Sequence, residues 1–69
     1  MKLSARNIFK GKVVSVKSGP VMASVRVDIG GGNVITAIVT SDAIENLGVA
    51  EGAVLSVIVK ATEVMLGAE

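Results

Sequence analysis

The clearest pattern in the chain is the alternation of apolar and polar residues between positions 21 and 29. Apolar side chains occupy every second position, namely Val21, Ala23, Val25, Val27 and Ile29. Polar ones lie between them at Ser24, Arg26 and Asp28. A period of two residues predicts a strand with one buried face. Met22 interrupts the polar face, and we expect it at a contact between subunits.

Further strands are predicted from runs rich in valine and isoleucine at residues 8–17, 34–40 and 53–61. A short fifth strand is predicted at residues 63–66, Glu-Val-Met-Leu. Gly11 within the first run indicates a bulge or a bend. The run 34–40 is apolar on both faces, which predicts a strand buried twice, by its own barrel and by a neighbouring subunit. In residues 53–61 every residue of one face is apolar, and Lys60 is the last residue of the opposite face.

Two turns separate the first three strands. Ser18-Gly19-Pro20 is the first, because proline cannot donate to a sheet ladder. Gly30-Gly31-Gly32-Asn33 is the second, and its residues tolerate the positive φ of a tight hairpin. A glycine-rich run can also bind phosphate, but no Lys-Ser/Thr pair and helix follow it, so the hairpin is preferred.

One short helix is predicted at about residues 43–47. Asp42 can cap it, Glu45 completes a capping box, and Gly48 can end it. Ile44 and Leu47 are then expected to pack inward. The backbone N–H groups of residues 40–42 could serve an anion, and plain N-capping is the competing interpretation.

Five strands with a helix between the third and fourth predict an all-β fold, an OB-like five-stranded barrel formed by a single domain of residues 1–69. A chain of 69 residues is marginally stable alone and usually needs disulfides, a metal or oligomerisation. Cysteine and histidine are both absent, while 51% of residues are hydrophobic. Oligomerisation with apolar subunit contacts is therefore the expected source of stability.

Composition and charge also indicate where the protein is located and what kind of ligand it could bind. The apolar runs are too short to span a membrane and no signal-peptide core precedes them, so we expect a cytoplasmic protein. The net charge of +1 hides an asymmetry, since all but one of the cations precede the first acid, Asp28. They are Lys2, Arg6, Lys10, Lys12, Lys17 and Arg26. A basic segment of this kind could gather anions, or it could be an ordinary solvated surface.

Two short segments near the chain ends contain the donors that an oxyanion site needs. Arg6 offers a planar fork of five donors and Lys60 a point charge with three. Ser4 and Thr62 add neutral hydroxyl groups. Scattered surface charge is the alternative explanation, because serine, arginine and lysine are common on surfaces.

The same segments resemble the molbindin (Mop) family. The resemblance covers nearly the whole chain and includes the Ser-Ala-Arg-Asn start, the glycine turn at 31–33, the Leu47–Gly52 segment and the Lys-Ala-Thr at 60–62. It implies a molybdate-binding domain without enzymatic activity or an organic cofactor, assembled as a homo-oligomer, usually a hexamer, that stores the anion. Tungstate would be an analogue ligand and sulfate a poor one.

By this similarity, the molybdate ligands are Ser4, Ala5, Arg6, Thr40, Lys60 and Ala61. We expect them to come from more than one subunit, because so small a barrel encloses little space. Relatives often have serine where this chain has Ala43, which removes one hydroxyl donor. The family also has a second type of anion site, which we expect on the turn of Gly19, Pro20 and Val21.

Other function classes are disfavoured by particular residues. A nucleic-acid-binding OB domain needs stacking aromatics, and Phe9 is the only aromatic residue. An enzyme without histidine or cysteine would need carboxylates, serine or lysine as general base and nucleophile, and the acids show no pairing that suggests a dyad. A purely structural assembly module without ligand is the remaining alternative, and it predicts an oligomer that molybdate does not stabilise.

Overall fold

The computed structural model describes residue 4 and residues 6–69. Four strands form one antiparallel sheet in the order β3-β2-β1-β4. In chain order the elements are β1 (Asn7–Ser18), β2 (Met22–Gly30), β3 (Asn33–Thr40), the helix α1 (Ser41–Leu47), β4 (Val54–Val59) and a 3-10 helix (Ala61–Glu63). None of the helices in this part of the chain has the length and apolar character needed to cross a bilayer.

The core lies on one face of the sheet, as the alternation in β2 predicts. Ala23, Val25 and Val27 are buried on β2, and Val13 joins them from β1. Half-buried side chains from the helix, from β3 and β4 and from the loop before β4 pack around this cluster; they include Val39, Ile44, Val49, Leu55 and Val57. The prediction of one buried face on β2 is confirmed.

Gly11 allows β1 and β2 to approach closely. A Cβ atom at this position would collide with the Val27 side chain and lie 3.1 Å from the carbonyl oxygen of Asp28. The irregularity of β1 falls further along, between Val13 and Ser15, where the register with β2 shifts. Gly11 is therefore a packing glycine, and the bulge expected there lies nearer Val14.

The predicted hairpin joins β2 to β3. Gly31 and Gly32 form the turn with φ angles of 63° and 79°, as a tight hairpin requires at both central residues. The Asp28 carboxylate accepts a hydrogen bond from the Gly30 N–H at 2.8 Å, and Asn33 Nδ2 donates to the Gly30 carbonyl at 3.1 Å. These two side chains close the turn from both strands.

The helix begins earlier than the sequence predicts. Its N-cap is Thr40, whose Oγ1 accepts a hydrogen bond from the Ala43 N–H at 3.1 Å, and Asp42 lies within the first turn. Gly48 ends the helix with φ 64°, as predicted. Ile44 packs on the core, but Leu47 is 72% exposed, so the inward position predicted for Leu47 is wrong.

Two features of the predicted barrel differ in the structure. Residues 63–66 form no strand, and Met65 and Leu66 are 90% and 96% exposed. The sheet has four strands and is not closed, with β3 and β4 at its edges. Only one face of β3 packs on the core, and Ile38 on the other face is 64% exposed. The twofold burial predicted for β3 is not seen in the single chain.

Candidate oxyanion site

The register between β1 and β4 brings the two chain-end segments together. Asn7 pairs with Val59 at the end of this ladder. Asn7 Nδ2 also donates a hydrogen bond to the Val59 carbonyl oxygen at 3.2 Å. Arg6 precedes Asn7 and Lys60 follows Val59, so the two cations lie at the same end of the sheet. The β1·β4 ladder thus places two segments that are distant in sequence at the same end of the sheet.

The groups at this end are open to solvent. Ser4, Arg6, Lys60 and Ala61 are all exposed. Ala61 begins the 3-10 helix, where the first backbone N–H groups have no acceptor within the helix. Ala5, also expected at the site, lies outside the described residues. Two cations and a hydroxyl group are therefore exposed near this end of the sheet, together with the backbone donors at the start of the 3-10 helix.

Thr40 lies at the opposite end of the sheet. It pairs with Met22 at the start of β2, and the neighbouring Ala23 pairs with Ser18 at the far end of β1. β1 has 12 residues, and a strand rises about 3.3 Å per residue, so more than roughly 30 Å of strand separates Thr40 from the Arg6 end. The predicted ligands are thus divided between two ends of one chain.

The Thr40 hydroxyl group is exposed and already oriented. Its oxygen accepts from the Ala43 N–H at the start of α1. A hydroxyl group has one donor and two acceptor positions, so the O–H remains available to donate to an anion. Thr40 can therefore cap the helix and bind a ligand oxygen at the same time.

The turn between β1 and β2 lies beside Thr40. Its residues, Gly19, Pro20 and Val21, are exposed. The Gly19 N–H donates to the Met22 carbonyl at 2.9 Å, and Pro20 has no N–H group. Of the three residues, only Val21 has a backbone N–H group other than the one that Gly19 donates to Met22. The second anion site at this turn stays a prediction.

Two open depressions in the surface lie away from the Arg6 end. One, of about 350 Å³, is lined by residues that include Lys10, Lys12 and Asp28. The other, of about 290 Å³, lies beside the first turn and includes Lys17, Gly19 and Ile38. Among residue 4 and residues 6–69, no cluster of three or more acidic, histidine or cysteine side chains could hold a metal cation.

Two residues with a structural part in these sites were missed by the sequence analysis. Asn7 lies inside the Ser-Ala-Arg-Asn segment, but nothing in the pattern shows that its side chain reaches Val59. Ser41 joins the helix to the first turn through its hydroxyl group. Thr40, Ser41 and Asp42 can all cap helices, so the sequence alone could not assign their separate roles.

A known domain family, known proteins and solved structures match nearly the whole chain. The TOBE domain model matches residues 3–66. Molybdenum-pterin-binding protein 2 of Clostridium pasteurianum is 54% identical over 66 residues, which cover 96% of this chain and 97% of that protein. The solved structure of MopII from Clostridium pasteurianum is also 54% identical, with a TM-score of 0.91 over 97% of this chain and 100% of that one.

A third similarity is to a longer protein. The cytoplasmic molybdate-binding protein ModG, solved with molybdate bound, is 43% identical with a TM-score of 0.84, over 88% of this chain and 43% of that one. The family model spans most of the present sequence, and the first relative matches it over nearly its whole length. This chain belongs to the molbindin (Mop) family of TOBE domains.

Proposed function

We propose that this protein binds molybdate reversibly at sites shared between the subunits of a homo-oligomer. The support is twofold. Relatives with high identity are named for molybdenum or molybdate binding. In this chain, the register of β1 with β4 places Arg6 and Lys60 at the same end of the sheet, and the 3-10 helix begins directly after Lys60.

The observation that carries the shared site is the separation of Thr40 from Arg6. A tetrahedral dianion is small, so its ligands must lie within a few ångströms of one centre. Thr40 and Arg6 lie at opposite ends of the sheet in a single chain. A site that uses both residues therefore takes Thr40 from one subunit and the cations from another.

Exposed apolar side chains supply the surface for such an assembly. Val64, Met65 and Leu66 are 48%, 90% and 96% exposed, and Ile38 on the edge strand β3 is 64% exposed. Burying apolar surface stabilises by about 25 cal/mol per Å². We propose that these residues are buried in a homo-oligomer, a hexamer by family resemblance. There residues 63–66 would complete the five-stranded barrel, by pairing with a sheet edge.

The proposed ligand is the free oxyanion. The first relative's name includes a pterin, but a flat heterocycle favours aromatic partners, and Phe9 is the only aromatic residue of this chain. Molybdate instead matches the charged donors and hydroxyl groups described above. Tungstate has the same charge and nearly the same size, so it should compete well, while the smaller sulfate should compete poorly.

The biological role follows from reversible binding. We propose a storage and homeostasis protein without catalytic activity, in the cytoplasm, as ModG is described. The bound anion would be released as its free concentration falls, because no covalent bond forms. This role rests on the family and on the binding site, and a titration addresses the binding site directly.

The experiment is calorimetric titration of the purified oligomer with sodium molybdate, with sodium sulfate as the control anion. Arg6→Ala should weaken molybdate binding about 10- to 100-fold, because charge-assisted hydrogen bonds contribute about 1.5–3 kcal/mol. Arg26→Ala is the matched control, since Arg26 is exposed in the middle of β2, and it should leave binding unchanged. Absence of heat with molybdate from a folded wild-type oligomer would overturn the proposal and favour a structural assembly module.

A further inference from the structure

We propose that Ser41 is a positioning residue that holds Thr40 in place for the anion. This inference rests on the proposed function, in which Thr40 donates to molybdate. The Ser41 hydroxyl group donates to the Gly19 carbonyl oxygen at 2.8 Å. The Ser41 backbone N–H donates to the Val21 carbonyl oxygen, also at 2.8 Å. One residue thus joins the start of α1 to both ends of the turn between β1 and β2.

These two bonds fix the chain immediately after Thr40. Before it, β3 is held by its ladder with β2, in which Thr40 itself pairs with Met22. After it, Ser41 is held by Gly19 and Val21. The hydroxyl oxygen of Thr40 is in turn held by the Ala43 N–H. With the backbone fixed on both sides and the oxygen bound, the O–H is left with few directions in which to point.

The turn is built to support this contact. The Gly19 N–H donates to the Met22 carbonyl at 2.9 Å, which closes the turn. A Cβ atom at Gly19 would lie 2.9 Å from the same carbonyl oxygen, closer than side-chain carbons pack. The Gly19 and Val21 carbonyls both accept from Ser41. The polar groups of this turn therefore hold the segment that begins with Thr40.

If Ser41 positions Thr40 for the anion, its loss should have a different effect than if Ser41 only stabilises the fold. The hydroxyl contact of Ser41 is exposed, and an exposed hydrogen bond contributes little to folding because water replaces it. The backbone bond to Val21 survives any substitution except proline. Loss of the hydroxyl group should therefore leave thermal stability nearly unchanged, while it allows the Thr40 segment to shift relative to the anion.

The test is a double-mutant cycle for molybdate affinity by calorimetry, with thermal melts of every variant. Ser41→Ala should weaken molybdate binding about three- to tenfold, the effect of one hydrogen bond, and Ser41→Thr should restore it. In a Thr40→Val background, Ser41→Ala should cause little further loss, because its effect acts through the Thr40 hydroxyl group.

The outcomes separate this inference from the proposed function. If wild type binds molybdate and Arg6→Ala weakens it, but Ser41→Ala binds like wild type, the positioning role is wrong and the proposed function stands. The role is equally wrong if Ser41→Ala weakens binding by the same factor with and without Thr40. If wild type does not bind molybdate, the proposed function itself has failed. Restored affinity in Ser41→Thr, together with loss of the Ser41→Ala effect in the Thr40→Val background, supports the inference.

Discussion

The side chain of Asn7 donates a hydrogen bond to the main-chain carbonyl oxygen of Val59 across 52 positions of sequence, at 3.2 Å. The same two residues form the terminal pair of the β1·β4 ladder. The bond is partly buried and lies one residue from Arg6 and one from Lys60. It ties together the two segments whose cations we assign to the anion.

Asn7→Ala should weaken molybdate binding, while it lowers the free energy of unfolding only slightly. The backbone ladder remains, so the free energy of unfolding should fall by only about 0.5–1.5 kcal/mol, the usual net contribution of one hydrogen bond. The segments that contain Arg6 and Lys60, however, lose the side-chain hydrogen bond that joins them. Calorimetry and thermal melts measure the two effects, with Asn46→Ala on the exposed side of α1 as the control. Unchanged molybdate affinity in Asn7→Ala would show that the hydrogen bond between Asn7 and Val59 has no part in binding.

Thr40→Val should affect both folding and binding. It removes the N-cap of α1, which costs about 1 kcal/mol and lowers the melting temperature by about 4–8 °C in a domain of this size. It also removes the hydroxyl donor assigned to molybdate. Thr40→Ser keeps cap and donor and should retain both properties. A Thr40→Val protein that is destabilised but binds molybdate normally would restrict Thr40 to capping.

Gly11→Ala should destabilise the fold, and Val27→Ala should partly relieve that effect. The added Cβ atom would collide with the Val27 side chain, and overpacking of this kind costs about 1–3 kcal/mol. Removing the Val27 methyl groups creates room, so the double variant should lose less stability than the two single variants added together. Urea denaturation measures all three.

Gly67→Ala provides the matched control for Gly11→Ala, because a Cβ atom at Gly67 meets nothing within 4 Å. It should change stability by less than about 0.5 kcal/mol. Strict additivity between the Gly11 and Val27 changes would mean that β1 and β2 adjust without the contact seen here.

The double variant Met65→Ser/Leu66→Ser should dissociate the oligomer. These side chains are 90% and 96% exposed in the single chain, and we expect them at subunit contacts. Sedimentation velocity should show a smaller species, with weaker molybdate binding as a consequence of the lost shared sites. Ala68→Ser is the control from the same segment. An unaltered sedimentation coefficient for the double variant would place the contacts elsewhere.

The sequence predicted the sheet well because its strands are locally encoded. The alternation of β2 and the glycine hairpin need only neighbouring residues, and both are confirmed. Burial of Leu47 and pairing of residues 63–66 depend on what packs against them, which the local pattern does not contain. The start of α1 was also misplaced, because three successive residues could act as the cap.

The candidate site was predictable only in part. Motif resemblance assigned Arg6 and Lys60, and the β1·β4 register shows that they share one end of the sheet. Their separation from Thr40 is a property of strand order and direction, which no local pattern reveals. The contacts of Asn7 and Ser41 join residues far apart in sequence, so they appear only once the fold is known.

Mixed oligomers can show whether one anion site draws on two subunits. Arg6→Ala and Thr40→Val proteins are each titrated with molybdate and should each bind weakly. They are then co-expressed in equal amounts, so that an Arg6 from one chain can meet a Thr40 from the other. By random pairing in a symmetric assembly, about one site in four should regain wild-type affinity. If no tight site returns in a well-mixed oligomer, Arg6 and Thr40 do not share a site across subunits, and the proposed shared site is wrong.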